Sequence, residues 1–214
     1  MAPARAPSHT GGPTTPPFPK RPGETSVPIT DALAHRWSPY RFHSEEDVEA
    51  ADLQGVLEAA RWAPSSYGEE PWRFIVARRE DPHRQALEES LMEGNAYARR
   101  AAVLIVTLAK ATFTRNGKPN RVALHDVGLA TGNLLAEATV RGLITHPMGG
   151  FDKEAVRAAF RVPQDYAPVA VIALGHHDPE LEEEILTRRE ARERRRRPLA
   201  ETTFGGTFGE AYPL

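Results

Sequence analysis

The chain of 214 residues contains no cysteine. This absence excludes disulfide bridges, zinc–thiolate sites, iron–sulfur clusters and thiol nucleophiles. Any redox chemistry of the protein must therefore come from a bound cofactor.

Long apolar runs and a strong charge imbalance are missing as well. The longest mostly apolar run, AAVLIVTLA at 101–109, falls well below the roughly 20 residues that span a bilayer. The N-terminus shows no charged start followed by an apolar core and a small-residue cleavage site. A net charge of -2 gives no global electrostatic reason to bind nucleic acid or an anionic membrane. We expect a cytoplasmic protein that binds neither.

Several motifs of catalysis and cofactor binding do not occur. The sequence has no GxGxxG and no GxxxxGK[ST], the fingerprints of two nucleotide-binding folds. Ser65 and Ser66 lie in no GxSxG elbow, so a hydrolase nucleophile has weak support. His125 beside Asp126, and the histidine pair at 176–177, lack a third ligand at an interpretable spacing. We interpret them as capping or surface histidines and predict no metal site.

The composition that is present, with 40% hydrophobic and 26% charged residues, is typical of a packed globular domain. Residues 1–28 are rich in proline, mixed with Gly, Ser and Thr. Such a segment cannot bury enough surface to offset its ordering entropy. We predict a disordered tail at 1–28, with a partner-binding polyproline II segment as the alternative, and a single domain at 29–214.

The domain alternates helical and extended segments. Helical spacing runs from Val48 to Ala60, behind a capping box formed by Ser44 and Asp47. Further helices are predicted at 81–91, 120–143 and 153–160, and strands at 72–79, 101–110 and 167–176. This order favours an α+β sandwich with a small sheet between helices.

Two segments have distinctive surfaces. Residues 120–143 are apolar on nearly every face, so a helix there must be enclosed on all sides. Gly128, Gly132 and Ala136 form a stripe at intervals of four, which serves either internal packing or a helix–helix subunit interface. Residues 180–197 start acidic and end basic, which predicts a solvated helix aligned with its own macrodipole.

The segment HRWSPYRF at 35–42 combines a cation, a hydroxyl and a proline just ahead of a predicted helix. Arg36, Ser38 and free backbone N–H groups can together bind one oxyanion. Taken alone, pairing of Arg36 with a nearby carboxylate is the better explanation.

Three segments together resemble one family. RWSPYRF at 36–42 resembles the R-R-S-x-R-x-F opening of nitroreductase-family flavoproteins, in the variant that reads R-W-S-P. APSSYGEEPWRFIV at 63–76 is similar to that family's A-P-S-S-x-N-x-Q-P-W-x-F segment. HDVGLATGNLLAEATVRGLITHPMGGFD at 125–152 is similar to its central helix, strand and P-M-G-G-F turn. The resemblance covers about residues 29–209.

This resemblance implies a nitroreductase-like α/β sandwich of the α+β class, with a mostly antiparallel sheet between helices. It also implies a homodimer with an exchanged C-terminal extension, and FMN at the subunit interface. Hydride would pass from NADH or NADPH through the flavin to an electron-poor small molecule such as a nitroaromatic or a quinone. No protein nucleophile or acid is required, so no catalytic side chain is predicted.

The resemblance further assigns the candidate cofactor-binding residues. Arg36 and Ser38 would hold the phosphate and ribityl end, joined by arginines of the basic run before Pro198; a solvated charged face is the alternative for those arginines. The serines of the 62–71 segment would border the ring, and two glycines would let backbone amides approach its reactive edge, unless they form an ordinary turn. The full set is Arg36, Trp37, Ser38, Tyr40, Pro64, Ser65, Ser66, Gly68, Glu70, Asn95, Met148, Gly149, Gly150, Arg194 and Arg196, with Arg197 as a further choice.

Asn95 is assigned either to the flavin or acceptor, or to a helix cap. Three positions depart from the family pattern: Gly68 stands in place of Asn, Glu70 in place of Gln, and Tyr40 in place of Arg or Lys. These departures predict weaker FMN binding and a more negative flavin potential. They also leave open a member that has lost turnover and only binds flavin or another ligand.

Overall fold

The computed structural model describes residues 22–213, so most of the predicted tail lies outside the described residues. The helices are α1 (Asp31–His35), α2 (Ala50–Arg61), α3 (Arg84–Ser90), α4 (Ala123–Val140), α5 (Lys153–Ala159) and α6 (Glu184–Glu190). The strands are β1 (Trp72–Arg78), β2 (Val103–Lys110), β3 (Ile144–Met148) and β4 (Tyr166–Gly175). Short 3-10 segments lie at Ser66–Gly68, Glu93–Arg100 and Leu199–Glu201.

The four strands form one antiparallel sheet in the order β1-β2-β4-β3. Strand β2 lies in the interior of the sheet and is buried along almost its whole length, as its continuous apolar sequence predicts. Its pairing with β4 shifts register between Thr107 and Leu108, and Leu108 lies opposite Pro168. Proline has no N–H for the ladder, so an irregular register is expected beside it.

Both faces of the sheet carry a hydrophobic core. The side chains of β2 alternate between them: Val103 and Ile105 pack with the buried residues of α2 and α4, whereas Leu104 and Val106 pack with those of α3 and α5. This arrangement confirms the predicted α+β sandwich with a small antiparallel sheet between helices.

The predicted capping box at the start of α2 is wrong. The helix begins at Ala50, and its N-cap residue Glu49 makes no side-chain cap hydrogen bond. The carboxylate of Asp47 instead accepts a hydrogen bond from Arg79, just after β1. A tertiary ion pair therefore takes the group that sequence spacing assigned to the helix terminus.

Helix α4 is not enclosed on all sides within this chain. One face is buried in the core through residues such as Val127, Ala130 and Leu134. The opposite face exposes Leu124 (63%) and Leu129 (37%). A Cβ added at Gly128 or Gly132 would meet nothing within 4 Å. Within the described residues Gly128 and Gly132 thus allow no close approach of another helix of this chain, and the subunit-interface alternative stays a prediction.

The predicted solvated helix at 180–197 is right only in part: most of these residues are exposed, but the helix is much shorter. Helix α6 spans only Glu184–Glu190, and both Leu186 and Glu190 are buried. His177, interpreted above as a capping or surface residue, also has a buried side chain that contacts Glu190. The segment is held against the domain because Glu190, near its middle, is a buried hydrogen-bond acceptor.

We searched the described part of the chain for membrane spans and found no helix long and apolar enough to cross a bilayer.

Candidate functional site

An open cavity of about 290 Å³ lies between the 36–40 segment and the chain after α6. We call it the arginine cavity. It brings together six of the predicted site residues, while Arg197 is not part of its lining. The lining residues are Arg36, Trp37, Ser38, Tyr40, Arg189, Glu190, Arg192, Glu193, Arg194, Arg195 and Arg196.

Positive charge accumulates in this cavity. Burial, together with the neighbouring guanidinium groups of Arg194 and Arg196, lowers the pKa of Arg36. Burial and Arg196 likewise lower the pKa of Arg194. These side chains nevertheless stay protonated at neutral pH, because a guanidinium group remains charged in proteins. The cavity is therefore suited to an anion, which would relieve the mutual repulsion.

Hydrogen bonds hold the arginines in place. Arg194 Nη2 donates to the carbonyl of Arg36 at 2.7 Å and Arg194 Nη1 to that of Ala34 at 3.1 Å. Arg36 Nη1 lies 3.4 Å from the hydroxyl of Ser38. The basic segment is thus attached to the RWSP segment, although about 160 residues separate them in sequence.

A buried carboxylate, Glu190, joins the two sides of the cavity. Its Oε1 accepts hydrogen bonds from the backbone N–H groups of Tyr40 (2.7 Å) and Arg41 (2.8 Å). Its Oε2 accepts from Arg41 Nε at 2.8 Å and contacts His177 Nε2 at 3.1 Å. Burial alone would raise the pKa of Glu190, but the hydrogen bonds from His177, Arg41 and the backbone outweigh it and lower the pKa to about 2.

Sequence reasoning missed Glu190, although one signal was available. A glutamate in the last turn of a helix faces the negative end of the macrodipole, where it is unfavourable unless cations bind it. Arg41 supplies such a cation and does not line the arginine cavity, in agreement with the alternation of an extended segment.

An aromatic group lies next to the cavity and was not predicted either. The ring of Tyr40 is 4.8 Å from that of Tyr97 and 4.9 Å from that of His146. The guanidinium carbon of Arg189 is 5.3 Å from the Tyr40 ring centroid. His146 Nδ1 contacts the carbonyl of Pro39 at 2.9 Å, and burial lowers the pKa of His146, which favours a neutral imidazole. A cation therefore lies beside Tyr40 even though position 40 itself carries none.

The predicted residues Asn95, Gly149 and Gly150 form a second group. Asn95 Nδ2 donates to the carbonyl of Gly150 at 2.8 Å, so Asn95 holds this turn rather than capping a helix. A Cβ at Gly150 would come within 2.9 Å of Asn95 Nδ2, whereas one at Gly149 would meet nothing within 4 Å. Met148 is buried at the end of β3. Only Gly149 of this group faces open space.

The third group lies in residues 62–71, which we call the linker. It contains the predicted residues Pro64, Ser65, Ser66, Gly68 and Glu70. The backbone N–H of Ser66 donates to Asp126 Oδ2 at 3.0 Å, and that of Glu70 to Ser65 Oγ at 3.0 Å. Gly68 and Glu70 both have left-handed backbones, with φ of 65° and 49°. The linker is therefore fixed at the N-terminal end of α4.

Comparison with known sequences and structures identifies the family of this chain. The model of the Nitroreductase family matches residues 33–107 and 95–176. The chain belongs to the nitroreductase family. Its match covers the RWSP segment, the linker, the sheet and α4, which confirms the resemblance noted in the sequence.

Individual proteins and solved structures are similar to this chain over most of the domain. A solved structure described as an oxidoreductase containing FMN has a TM-score of 0.81 at 29% identity, covering 88% of this chain and 96% of that one. A 15.4 kDa protein of Mycolicibacterium smegmatis is 40% identical over 146 residues, which are 64% of this chain and 97% of that protein. An NADH dehydrogenase of Thermus thermophilus is 29% identical over 187 residues, with 72% and 90% coverage.

In this nitroreductase-family chain the arginine cavity and the linker lie at opposite ends of α4. Arg36 and Trp37 border Thr139 at its C-terminal end, whereas the linker binds Asp126 at its N-terminal end. At 1.5 Å per residue, positions 126 and 139 are about 20 Å apart. A single chain therefore does not bring the arginine cavity and the linker side by side.

Proposed function

We propose that this chain forms a homodimer that binds FMN and transfers hydride from NADH or NADPH to an electron-poor small molecule. The observation that carries the proposal is the convergence of the Arg36, Arg194 and Arg196 side chains on one cavity. Membership of the nitroreductase family and the FMN in a similar structure support it.

The residues of the cavity fit the phosphate end of FMN. A phosphate monoester carries about two negative charges and several acceptor oxygens, which guanidinium groups bind well. Burial and the like charges of Arg194 and Arg196 lower the pKa of Arg36, so a dianion would relieve an existing repulsion. The Ser38 hydroxyl beside Arg36 adds a hydrogen-bonding group for the phosphate or the ribityl chain.

A second copy of the chain supports the ring end. Antiparallel pairing of two α4 helices across the Gly128–Gly132 stripe would bring the linker of one chain to the arginine cavity of the other. It would also bury Leu124 and Leu129, which are exposed in the single chain. Small residues let helix backbones approach closely, because no side chain separates them. We infer that each site takes its phosphate end from one chain and a ring wall from its partner.

Bound FMN would supply the hydride chemistry between nicotinamide and acceptor. The side chains of this protein bind, orient and exclude water. Glu190 fixes the backbone at 40–41 and so keeps Arg36 and Ser38 in place. The Tyr40, Tyr97 and His146 rings supply apolar surface beside the cavity. Arg189 places a positive charge over Tyr40, where it would stabilise negative charge on a bound ring.

A purified sample tests the proposal through its absorption spectrum. Active enzyme should be yellow, and the flavin band should bleach on adding NADH or NADPH and return on adding menadione. A protein that stays yellow after both nicotinamides, or stays colourless with added FMN, would instead support the ligand-binding alternative that the departures at 40, 68 and 70 suggest.

The departures from the family pattern at positions 40 and 68 lead to a prediction about FMN affinity. Gly68→Asn should tighten FMN binding, because asparagine tolerates the left-handed backbone at Gly68 and adds a hydrogen-bonding side chain. Tyr40→Arg should tighten it less than the family pattern suggests, since Arg189 already lies over position 40. FMN titration of both apo-variants measures this; unchanged affinity in both would mean that these positions do not contact the cofactor.

A further inference from the structure

The hairpin at 112–119, which follows β2, forms one unit with the linker. Within the hairpin, Phe113 N donates to the carbonyl of Lys118 at 2.8 Å. The Glu69 carboxylate of the linker accepts from Thr114 N at 2.8 Å and lies 3.4 Å from Lys110 Nζ. The Glu69 side chain is only 6% exposed, so the carboxylate that joins the two segments is largely covered by them. The hairpin is therefore held at a fixed place beside the proposed ring wall.

An exposed aromatic surface on this unit carries a guanidinium group. The Cζ atom of Arg115 lies 4.1 Å from the ring centroid of Tyr67 and 5.5 Å from that of Phe113. Tyr67 is 77% exposed and adopts a left-handed backbone with φ of 56°. Such a conformation is rare for a bulky residue and persists where the surroundings impose it. The fold thus holds the Tyr67 ring outward, under Arg115.

Arg115 has no counterion in the described part of the chain. It forms no ion pair or hydrogen bond with any residue of 22–213, and its position on the two rings leaves its N–H donors free. A second exposed pair provides the contrast, because Arg61 lies over Trp62 but donates from Nε to Glu58 at 2.9 Å. An arginine that stacks on an aromatic ring keeps the N–H donors of its planar guanidinium group available for a carboxylate or phosphate.

We propose that Arg115, supported by Tyr67 and Phe113, is a specificity-determining residue that binds an anionic substituent of a flat molecule docking at the linker. The proposal rests on the proposed function, since it takes the linker as a wall of the flavin site. The recognised group is a carboxylate or a phosphate, carried either by an aromatic acceptor or by the nicotinamide donor.

Steady-state kinetics of the holoenzyme separate the two sources. In Arg115→Gln, the Michaelis constant for para-nitrobenzoate relative to that for nitrobenzene should rise about tenfold if the acceptor carries the anion, the size of one exposed charge-assisted hydrogen bond. If the donor carries it, the Michaelis constant for NADPH relative to that for NADH should rise instead. Arg61→Gln, the matched exposed arginine with its own counterion, should leave both ratios at their wild-type values. Unchanged ratios in Arg115→Gln, or equal changes in both variants, would overturn the proposal.

A binding measurement distinguishes failure of the Arg115 anion site from failure of the proposed function. Titration of the full chain with para-nitrobenzoate and with NADPH should shift the backbone amide NMR signals of Tyr67, Phe113 and Arg115 in one of the two titrations, and Arg115→Gln should abolish the shifts. Shifts without any turnover would reject the proposed function and keep the anion site. Turnover with no such shifts, or a change of oligomer mass in Arg115→Gln, would reject the anion site alone.

Discussion

One carboxylate connects distant parts of the chain at the arginine cavity. Glu190 accepts two backbone hydrogen bonds from the RWSP segment and also binds Arg41 and His177. A buried charge is stable only when such partners compensate its lost hydration. The position of Arg36 and Ser38 relative to the basic segment consequently depends on this residue.

Glu190→Gln should lower the free energy of unfolding at neutral pH by about 2 kcal/mol, because one acceptor oxygen becomes an NH2 donor that faces either the backbone N–H groups of residues 40–41 or Arg41 Nε. The fold lowers the pKa of Glu190 to about 2. Its stabilisation is therefore complete above the ordinary carboxyl pKa of about 4.3 and is lost as pH falls toward 2. The difference between wild type and variant in urea unfolding should shrink over that range.

The control for Glu190→Gln is Glu58→Gln, which removes the exposed pair with Arg61. This change should affect stability little, since solvent screens exposed ion pairs. An equal loss in both variants, or a difference for Glu190→Gln that does not depend on pH, would contradict the assignment.

The adjacent glycines at 149–150 should respond differently to alanine. Gly150→Ala should lower stability by about 2 kcal/mol, because the new methyl group would lie 2.9 Å from Asn95 Nδ2. Gly149→Ala should leave the apo-protein stable, since its Cβ has no neighbour within 4 Å in the chain. It should weaken FMN binding if the flavin fills that space. Thermal unfolding and FMN titration of both variants measure the two effects, and intact FMN affinity in Gly149→Ala would exclude close contact there.

Helix α4 combines a core face with a face that this chain leaves open. The open face carries Gly128, Gly132 and exposed leucines, which is unusual for a helix that contacts only water. We predict that Gly132→Arg gives a folded monomer, because the side chain fits the single chain but would separate two packed helices. Sedimentation measures the mass, and far-ultraviolet circular dichroism measures the fold.

The control is Gln54→Arg, which places the same side chain on an exposed position of α2. This variant should keep the wild-type mass. A dimeric Gly132→Arg would show that α4 is not the interface.

The whole protein is predicted to have sites shared between two chains. Arg36→Ala should disable the phosphate end and Ser66→Trp the ring wall, so each variant alone should be inactive. In a mixture refolded together, half of the dimers contain both chains, and each such dimer has one intact site. The mixture should recover about one quarter of wild-type activity. No recovery would place both parts of a site in the same chain.

The central elements follow closely from local sequence pattern. The continuous apolar run of β2, the aromatic and β-branched residues of β1 and the helical period of α2 lie close together in the chain, and the structure agrees with these predictions within a few residues. The family motifs likewise identified six of the residues that meet in the arginine cavity, although not Glu190. Local periodicity records which faces need burial, which is why it suffices for these features.

Features that join distant segments could not be inferred in the same way. Asp47 pairs with Arg79 instead of capping α2, and Glu190 is buried by the RWSP segment instead of being solvated. The Tyr40–Tyr97–His146 group and the stacking of Arg115 on Tyr67 likewise unite residues tens of positions apart. Composition and motif order were enough for the fold and the family, because they reflect hydrophobic burial along each element. The partner of each charge was settled by three-dimensional packing, because the energy of an ion pair depends on distance and burial rather than on sequence separation.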